Sequence, residues 1–324
     1  MEIPQKPVPA TIDWIAKQAI RFPDKLAQVD LGSGREYDYR QMNERVGRVA
    51  SYLQSIGVRR GDRIGYLMAN SSDVFEIIFG CWRVGAVALA LNWRLTASEL
   101  EYIINDAEPC AIIIDNDLSE LSDELKSTTK VRHWIGTDGQ GGVSEYEAAL
   151  TAAGPVLDKV LEQPLSDMCM LMYSSGTTGK PKGVIITHEM MFYFAVSTGT
   201  DVRLTQESVS LTVMPLFHIG GVNCPACPTF YLGGTVLIAR AFDPGETLGY
   251  IGDAKLGVTH FLGVPAMYNA LKVHADNAKT DFSRVVTPFV GAEAVPEPLL
   301  NWWIERGLKL SEGYGMTESA AGAL

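Results

Sequence analysis

The chain has 324 residues, of which 47% are hydrophobic, 20% charged and 9% aromatic. That balance excludes a disordered chain, a collagen-like chain and a small disulfide scaffold. With 27 Lys and Arg against 38 Asp and Glu, the net charge is −11, which excludes nonspecific binding to nucleic acid or anionic lipid, because both need a basic face. An anionic ligand must then be held by a local site of backbone N–H groups and a few placed lysines. The length suggests about two structural units and is ample for a large core. Five cysteines (Cys81, Cys110, Cys169, Cys224 and Cys227) make an odd set, and residues 1–13 show no secretory leader. Both features point to a reducing, cytoplasmic setting. Cys224 and Cys227 match C-x-x-C without a thioredoxin-like unit or a second ligand pair, so packing cysteines are expected. Apolar runs such as 84–91 are far short of a membrane span.

In chain order, Ile12, Ile15, Ala16, Ala19 and Ile20 share a helical face, and Met42, Val46, Val49 and Leu53 repeat the spacing until Gly57 ends it. Residues 63–68 read as a buried strand. Asp73 is expected to cap the next helix with Glu76 as its capping-box partner. A strand follows at 86–91, then a second capping box, Thr96 with Glu99, and a strand at 110–114. Residues 136–144 read as a loop or linker. Beyond it, strands are expected at 168–173, 208–214, 235–238, 259–262 and 284–290. Helices are expected to start near Glu189, Pro244, Pro265 and Pro296, proline suiting the first helical turn. Strand–helix alternation implies parallel sheets with helices on their faces. The expected fold is therefore α/β, two packed, parallel-rich sheets, divided approximately into 1–165 and 166–324.

The densest local chemistry is Tyr173-Ser174-Ser175-Gly176-Thr177-Thr178-Gly179-Lys180-Pro181-Lys182-Gly183, between two apolar runs. Its glycines allow tight turns and close approach to a ligand. Its hydroxyls and successive N–H groups suit phosphate oxygens, and two lysines add charge. It is not a Walker A loop: Ser174 and Pro181 stand where that motif needs Gly and Ser/Thr. A flexible polar hairpin is the bland alternative. A second dense segment, Glu312-Gly313-Tyr314-Gly315-Met316-Thr317-Glu318, lies only six residues from the last residue, which suggests a fragment.

These segments resemble the signatures of the adenylate-forming superfamily, which includes acyl-CoA synthetases, coumarate-type ligases, luciferases and peptide-synthetase adenylation domains. Pro215-Leu216-Phe217-His218 and Gly291-Ala292-Glu293 agree in order. The resemblance covers essentially the whole chain, as a partial N-terminal AMP-binding domain over 1–324 without the small C-terminal domain. It implies that Ser174, Ser175, Gly176, Thr177, Thr178, Gly179 and Lys182 hold the phosphates of ATP. Ala292 and Glu293 would border adenine, and Glu312, Gly313, Tyr314 and Thr317 would line the nucleotide and acyl carboxylate. Glu318 would ligate Mg²⁺, shared with Thr178. Thr178, Lys182 and Glu318 are thus the implied catalytic set. The usual Gly-Gly-Ala-Pro turn is Gly291-Ala292-Glu293-Ala294 here, which loses the proline and places the Glu293 carboxylate near adenine, and Glu312 replaces a common glutamine.

The implied reaction joins a carboxylic acid to CoA through an acyl-adenylate at the expense of ATP. His218, Gly220, Gly291 and Gly315 would border the acyl pocket, with Phe217, Val222, Phe261 and Val264 as apolar walls and Gly221 and Gly263 sparing bulk. His218 cannot supply the carboxylate that pairs an amino-acid ammonium. A fatty acid is therefore expected, with an aromatic or phenylpropanoid acid as the alternative. The implied partners are the acid, ATP and CoA, with a homodimer open and no integral membrane segment or nucleic acid. Without the C-terminal lysine the chain is expected to bind nucleotide and acid but to form adenylate poorly. A non-catalytic nucleotide- or acyl-binding module is the competing reading. His188 is expected to cap or pack a helix, and His133, His260 and His274 are assigned no role.

Overall fold

The computed structural model describes residues 13–139, 141–154, 162–174 and 180–322. The strands in chain order are Leu26–Asp30 (β1), Arg35–Asp38 (β2), Arg63–Leu67 (β3), Val87–Ala90 (β4), Ala111–Asp115 (β5), His133–Thr137 (β6), Met168–Ser174 (β7), Lys182–Thr187 (β8), Val209–Thr212 (β9), Thr235–Ile238 (β10), His260–Gly263 (β11), Thr287–Gly291 (β12) and Ser311–Gly313 (β13). They form two sheets, ordered β6-β5-β3-β4-β7-β8 and β13-β12-β11-β9-β10-β1-β2. Every pairing is parallel except the β7–β8 and β1–β2 hairpins. The α/β architecture of two parallel-rich sheets is therefore present. Sheet membership does not follow the division near residue 165. β1 and β2 lie before it yet belong to the seven-stranded sheet, while β7 and β8 lie after it and complete the six-stranded one.

The helix Ser72–Val84 is the hinge of the packing. All thirteen of its residues are buried, because Phe75 and Phe79 meet Phe230 of the neighbouring layer at ring-centroid distances of 5.1 and 5.6 Å. Its carboxylates are paired: Asp73 accepts from Arg35 at 2.7 Å and from Thr137 at 2.8 Å, and Glu76 accepts from Arg45 at 2.7 Å. This corrects the expected Asp73–Glu76 capping box. The helix begins after Ser71 without a side-chain cap, and both carboxylates are spent on half-buried arginines of other elements. A helix apolar all round is buried rather than capped at a surface. The Thr96–Glu99 box does form, with both reciprocal bonds present. The first helix spans Trp14–Arg21 and buries Trp14, Ile15 and Gln18, whereas Ile20 of the expected apolar face is 84% exposed; Ile12 lies outside the described residues.

Other boundaries shift. Gly136 and Thr137, expected in a loop, end β6, and the strand expected from 284 starts at Thr287. The helix His188–Asp201 is capped by Thr187, whose hydroxyl accepts from Met190 N–H, while His188 packs edge-on against Trp82 at 5.2 Å. All five cysteines are free thiols, and Cys227 is fully buried, as packing residues should be. No helix among the described residues is long and apolar enough to cross a membrane.

Candidate active site

The loops after β9, β11, β12 and β13 leave the carboxyl ends of parallel strands, which is where open α/β sheets present ligand sites. There they enclose a cavity of about 710 Å³. Eight of the residues singled out in the sequence lie on its wall: His218, Gly220, Gly291, Ala292, Gly313, Tyr314, Gly315 and Thr317. The residues expected on the acid side and those expected on the nucleotide side, far apart in sequence, thus face one space. Apolar wall comes from Val213, Ile219, Leu262, Val264 and Phe289. Of the other residues expected to shape the pocket, Phe217, Val222 and Phe261 are core residues, and Gly221 and Gly263 lie off the wall. Each of these three side chains is consumed by neighbours: Phe261, for example, packs on Tyr268 at 5.6 Å.

Two glycines are required by contact. A Cβ on Gly291 would lie 2.6 Å from Gly313 O, so β12 and β13 approach across it, and one on Gly315 would lie 1.5 Å from Ala321 O. Ala292 holds φ 71°, a conformation that costs an L-residue about 1–2 kcal/mol and clusters at functional sites.

Ser174 pairs with Lys182 across the β7–β8 hairpin. The residues between them, Ser175, Gly176, Thr177, Thr178 and Gly179, lie outside the described residues. The hairpin root is pinned to the helix Ala97–Ala107, where the Tyr173 phenol donates to Asp106 at 2.5 Å. Burial raises that phenol's pKa first, and the Asp106 bond adds to it. β8 packs against the 3₁₀ turn Thr317–Ser319, so the strand carrying Lys182 borders the turn carrying Glu318. Lys182, Glu293 and Glu318 are exposed and stand off the cavity wall, as does Glu312, whose carboxylate accepts from Val295 N–H at 3.3 Å.

Several polar wall residues were given no place in the site from the sequence. Arg94, in the turn after β4, is exposed and stacks over Trp93 and Phe217 with its guanidinium carbon 5.1 and 5.6 Å from the rings. Asn70 donates to Met214 O at 2.9 Å and Ala239 O at 3.1 Å and accepts from Leu216 N–H at 2.9 Å, so the loop that carries His218 hangs on it. Arg240 is held by Asp115, and Cys224 adds a thiol. Asn70, Arg94 and Arg240 had no sequence signal, since each gains its place only when distant loops meet, and Cys224 stood out only for its C-x-x-C spacing. Burial, then the positive charge of Arg94, lowers the His218 pKa from its ordinary value, so the imidazole is neutral at pH 7.

Among the described residues no group of three or more His, Cys, Asp and Glu side chains could hold a metal ion. Glu318 is a single exposed carboxylate, on the turn that borders β8.

The family model described as AMP-binding enzyme matches residues 15–324. The chain belongs to the AMP-binding enzyme family. Relatives of this AMP-binding chain include feruloyl-CoA synthase from Amycolatopsis sp, 34% identical over 90% of this chain and 56% of that protein. Indoleacetate–CoA ligase from Aromatoleum aromaticum is 30% identical over 94% of this chain and 57% of its own length, and the long-chain-fatty-acid–CoA ligase FadD13 of Mycobacterium tuberculosis is 28% identical over 96% and 61%. The chain thus spans little more than half of these relatives. Among solved structures, the N-terminal domain of FACL13 from Mycobacterium tuberculosis superposes with TM-score 0.87 at 25% identity, covering 95% of this chain and 76% of that one. The anthranilate CoA ligase AuaEII, solved with anthranoyl-AMP, superposes with TM-score 0.89 at 24% identity, covering 99% and 62%, a likeness of fold.

Proposed function

We propose that this AMP-binding chain is the large part of an acid–CoA ligase that activates an apolar carboxylic acid with ATP and passes the acyl group to CoA. The observation that carries the reading is the shared cavity: the His218–Gly220 wall and the 291–292 and 313–317 loops open on one space. In the first half-reaction a carboxylate oxygen attacks the α-phosphorus, and pyrophosphate leaves. In the second, a thiolate attacks the acyl carbon and AMP leaves. The first step brings an anion to a polyanion, so charge management dominates over acid–base chemistry. Mg²⁺, when bound through Glu318 and phosphate oxygens, neutralises the leaving charge. Lys182 supplies a further cation from β8, with Ser174 to Gly179 as the phosphate cradle and Thr178 as a second metal contact. Neutral His218 and the apolar wall favour the acid's hydrocarbon end. Gly291 and Gly315 let their loops close on the neighbouring backbone and so set the walls between which the two reactants align, an alignment worth several kcal/mol.

A fatty acid fits the apolar wall, and an aromatic acid is supported by the relatives that are feruloyl- and indoleacetate-type ligases. Thioester formation from a panel of fatty and aromatic acids, with ATP, Mg²⁺ and CoA, tests the reading; selectivity for free amino acids overturns it. For the 324-residue chain alone, Mg-ATP binding by calorimetry with slow ATP–pyrophosphate exchange is the expected result. Rapid exchange would show that adenylation needs nothing more. Nucleotide binding without any acid dependence would favour a non-catalytic binding module.

A further inference from the structure

The acid-side and nucleotide-side walls are physically joined at one point. The short helix Ile219–Asn223 presents Ile219 and Gly220 to the cavity, directly after His218. Asn223, at its other end, is fully buried. Its Nδ2 donates to Ala320 O at 2.6 Å, across 97 residues of sequence. Its Oδ1 has no hydrogen-bond partner among the described residues. An amide kept in the core with half of its capacity unused is costly, about 1–3 kcal/mol for the unmet group, so the bond it does make is not incidental to packing.

Ala320 is a sensitive place to receive that bond. It closes the turn Thr317–Ser319, with its N–H on Thr317 O and that of Ala321 on Met316 O. Ala320 and Ala321 hold φ of 56° and 105°, and Ala321 O touches Gly315. The peptide that Asn223 fixes therefore sets the path of 313–322, including the cavity residues Tyr314, Gly315 and Thr317. Few other alanines would tolerate that backbone without an external tether.

We propose that Asn223 is a positioning residue that couples the two substrate subsites: it holds the nucleotide loop in register with the acid wall, so that occupancy of one is felt at the other. The inference rests on the ligase reading of the cavity. Coupling between sites is reciprocal, so nucleotide alone suffices as a probe and the acid need not be known.

Hydrogen–deuterium exchange of this chain with and without Mg-ATP tests it, read beside Asn223→Leu, which keeps bulk and removes the donor. In the unsubstituted chain, Mg-ATP is expected to slow exchange at 313–322 and also at 219–224, the latter by about fivefold or more. In Asn223→Leu the first effect should remain and the second vanish. Should Asn223→Leu fail to fold, as shown by loss of protection in β4 and β5, the unsubstituted chain still decides. There, protection confined to 313–322 overturns the proposal, as does equal protection of 219–224 in a folded Asn223→Leu. Absence of protection anywhere overturns the nucleotide-site reading itself, and this inference with it.

Discussion

Single residues in this site are constrained by contact rather than by chemistry alone. Gly315 has the backbone of Ala321 where a Cβ would sit, so Gly315→Ala must displace the loop. Calorimetry should show Mg-ATP affinity falling at least about tenfold, equivalent to about 1.4 kcal/mol; an unchanged affinity would remove this loop from the site. Lys182→Ala should cost about 1–3 kcal/mol of ATP binding if the ammonium meets a phosphate, read in the same titration. His188 gives a pH signature. Burial lowers its pKa to about 4, opposed by Asp167, and its Nε2 has no partner among the described residues. The unfolded chain takes up that proton near pH 6.5 and the folded chain only near 4. The contribution is therefore fully present above about 6.5 and is lost as pH falls between those values, by up to about 3 kcal/mol. Urea midpoints at pH 7 and pH 5 should differ more for the unsubstituted chain than for His188→Leu. Equal differences would place the acid sensitivity elsewhere.

At the scale of elements, what the sequence disclosed depended on whether a segment's own residues decided its fate. Thr96 and Glu99 meet each other within one helical turn, and their capping box forms as read. Asp73 and Glu76 have the same spacing, but Arg35, Arg45 and Thr137 come from other elements to claim them. β2, with residues Arg-Glu-Tyr-Asp, has no apolar alternation and is a strand only because β1 lies beside it. Gly313, Tyr314, Gly315 and Thr317, singled out from one local segment, do reach the cavity wall. Arg94 and Asn70 were not legible, because β3 and β4 bring them to a cavity whose other walls, from Phe194 to Gly322, follow far later in the sequence. Asn70 shows what such a link is worth. Its three bonds fasten the strand-to-helix turn of one sheet to the 214–216 and 239 backbone of the other. Asn70→Ala should lower stability by about 2–4 kcal/mol at about 1 kcal/mol per bond plus stranded backbone groups. The shift in urea midpoint reports it, and a loss below about 0.5 kcal/mol would show that the loop holds without this side chain.

For the molecule as a whole, interleaving of the two sheets makes the chain a single cooperative object. Cutting at 165 would leave β1 without β10 on one fragment and β7 without β4 on the other. Each fragment would then expose a central strand's edge and the apolar faces that close on the helix Ser72–Val84. Fragments 1–165 and 166–324, made separately, should show weak far-ultraviolet helix signals and aggregate, and co-expression should restore a soluble complex. Independent folding of either would contradict the topology. The same interleaving brings Asn70, Trp93 and Arg94, from loops of the six-stranded sheet, to a cavity whose other walls come from residues 194–322.

β1 also has a temporal consequence. Gln28, Val29 and Asp30 are in register with Val236, Leu237 and Ile238, so the earliest strand cannot be seated until its partner has left the ribosome. At about 5–20 residues per second of synthesis, the delay is roughly ten to forty seconds. During that interval Leu26 to Asp30 has β2 and the helices Tyr39–Ser55 and Ser72–Val84 beside it but an open edge where β10 belongs, and a nascent chain stalled before residue 235 would be the species that chaperones encounter.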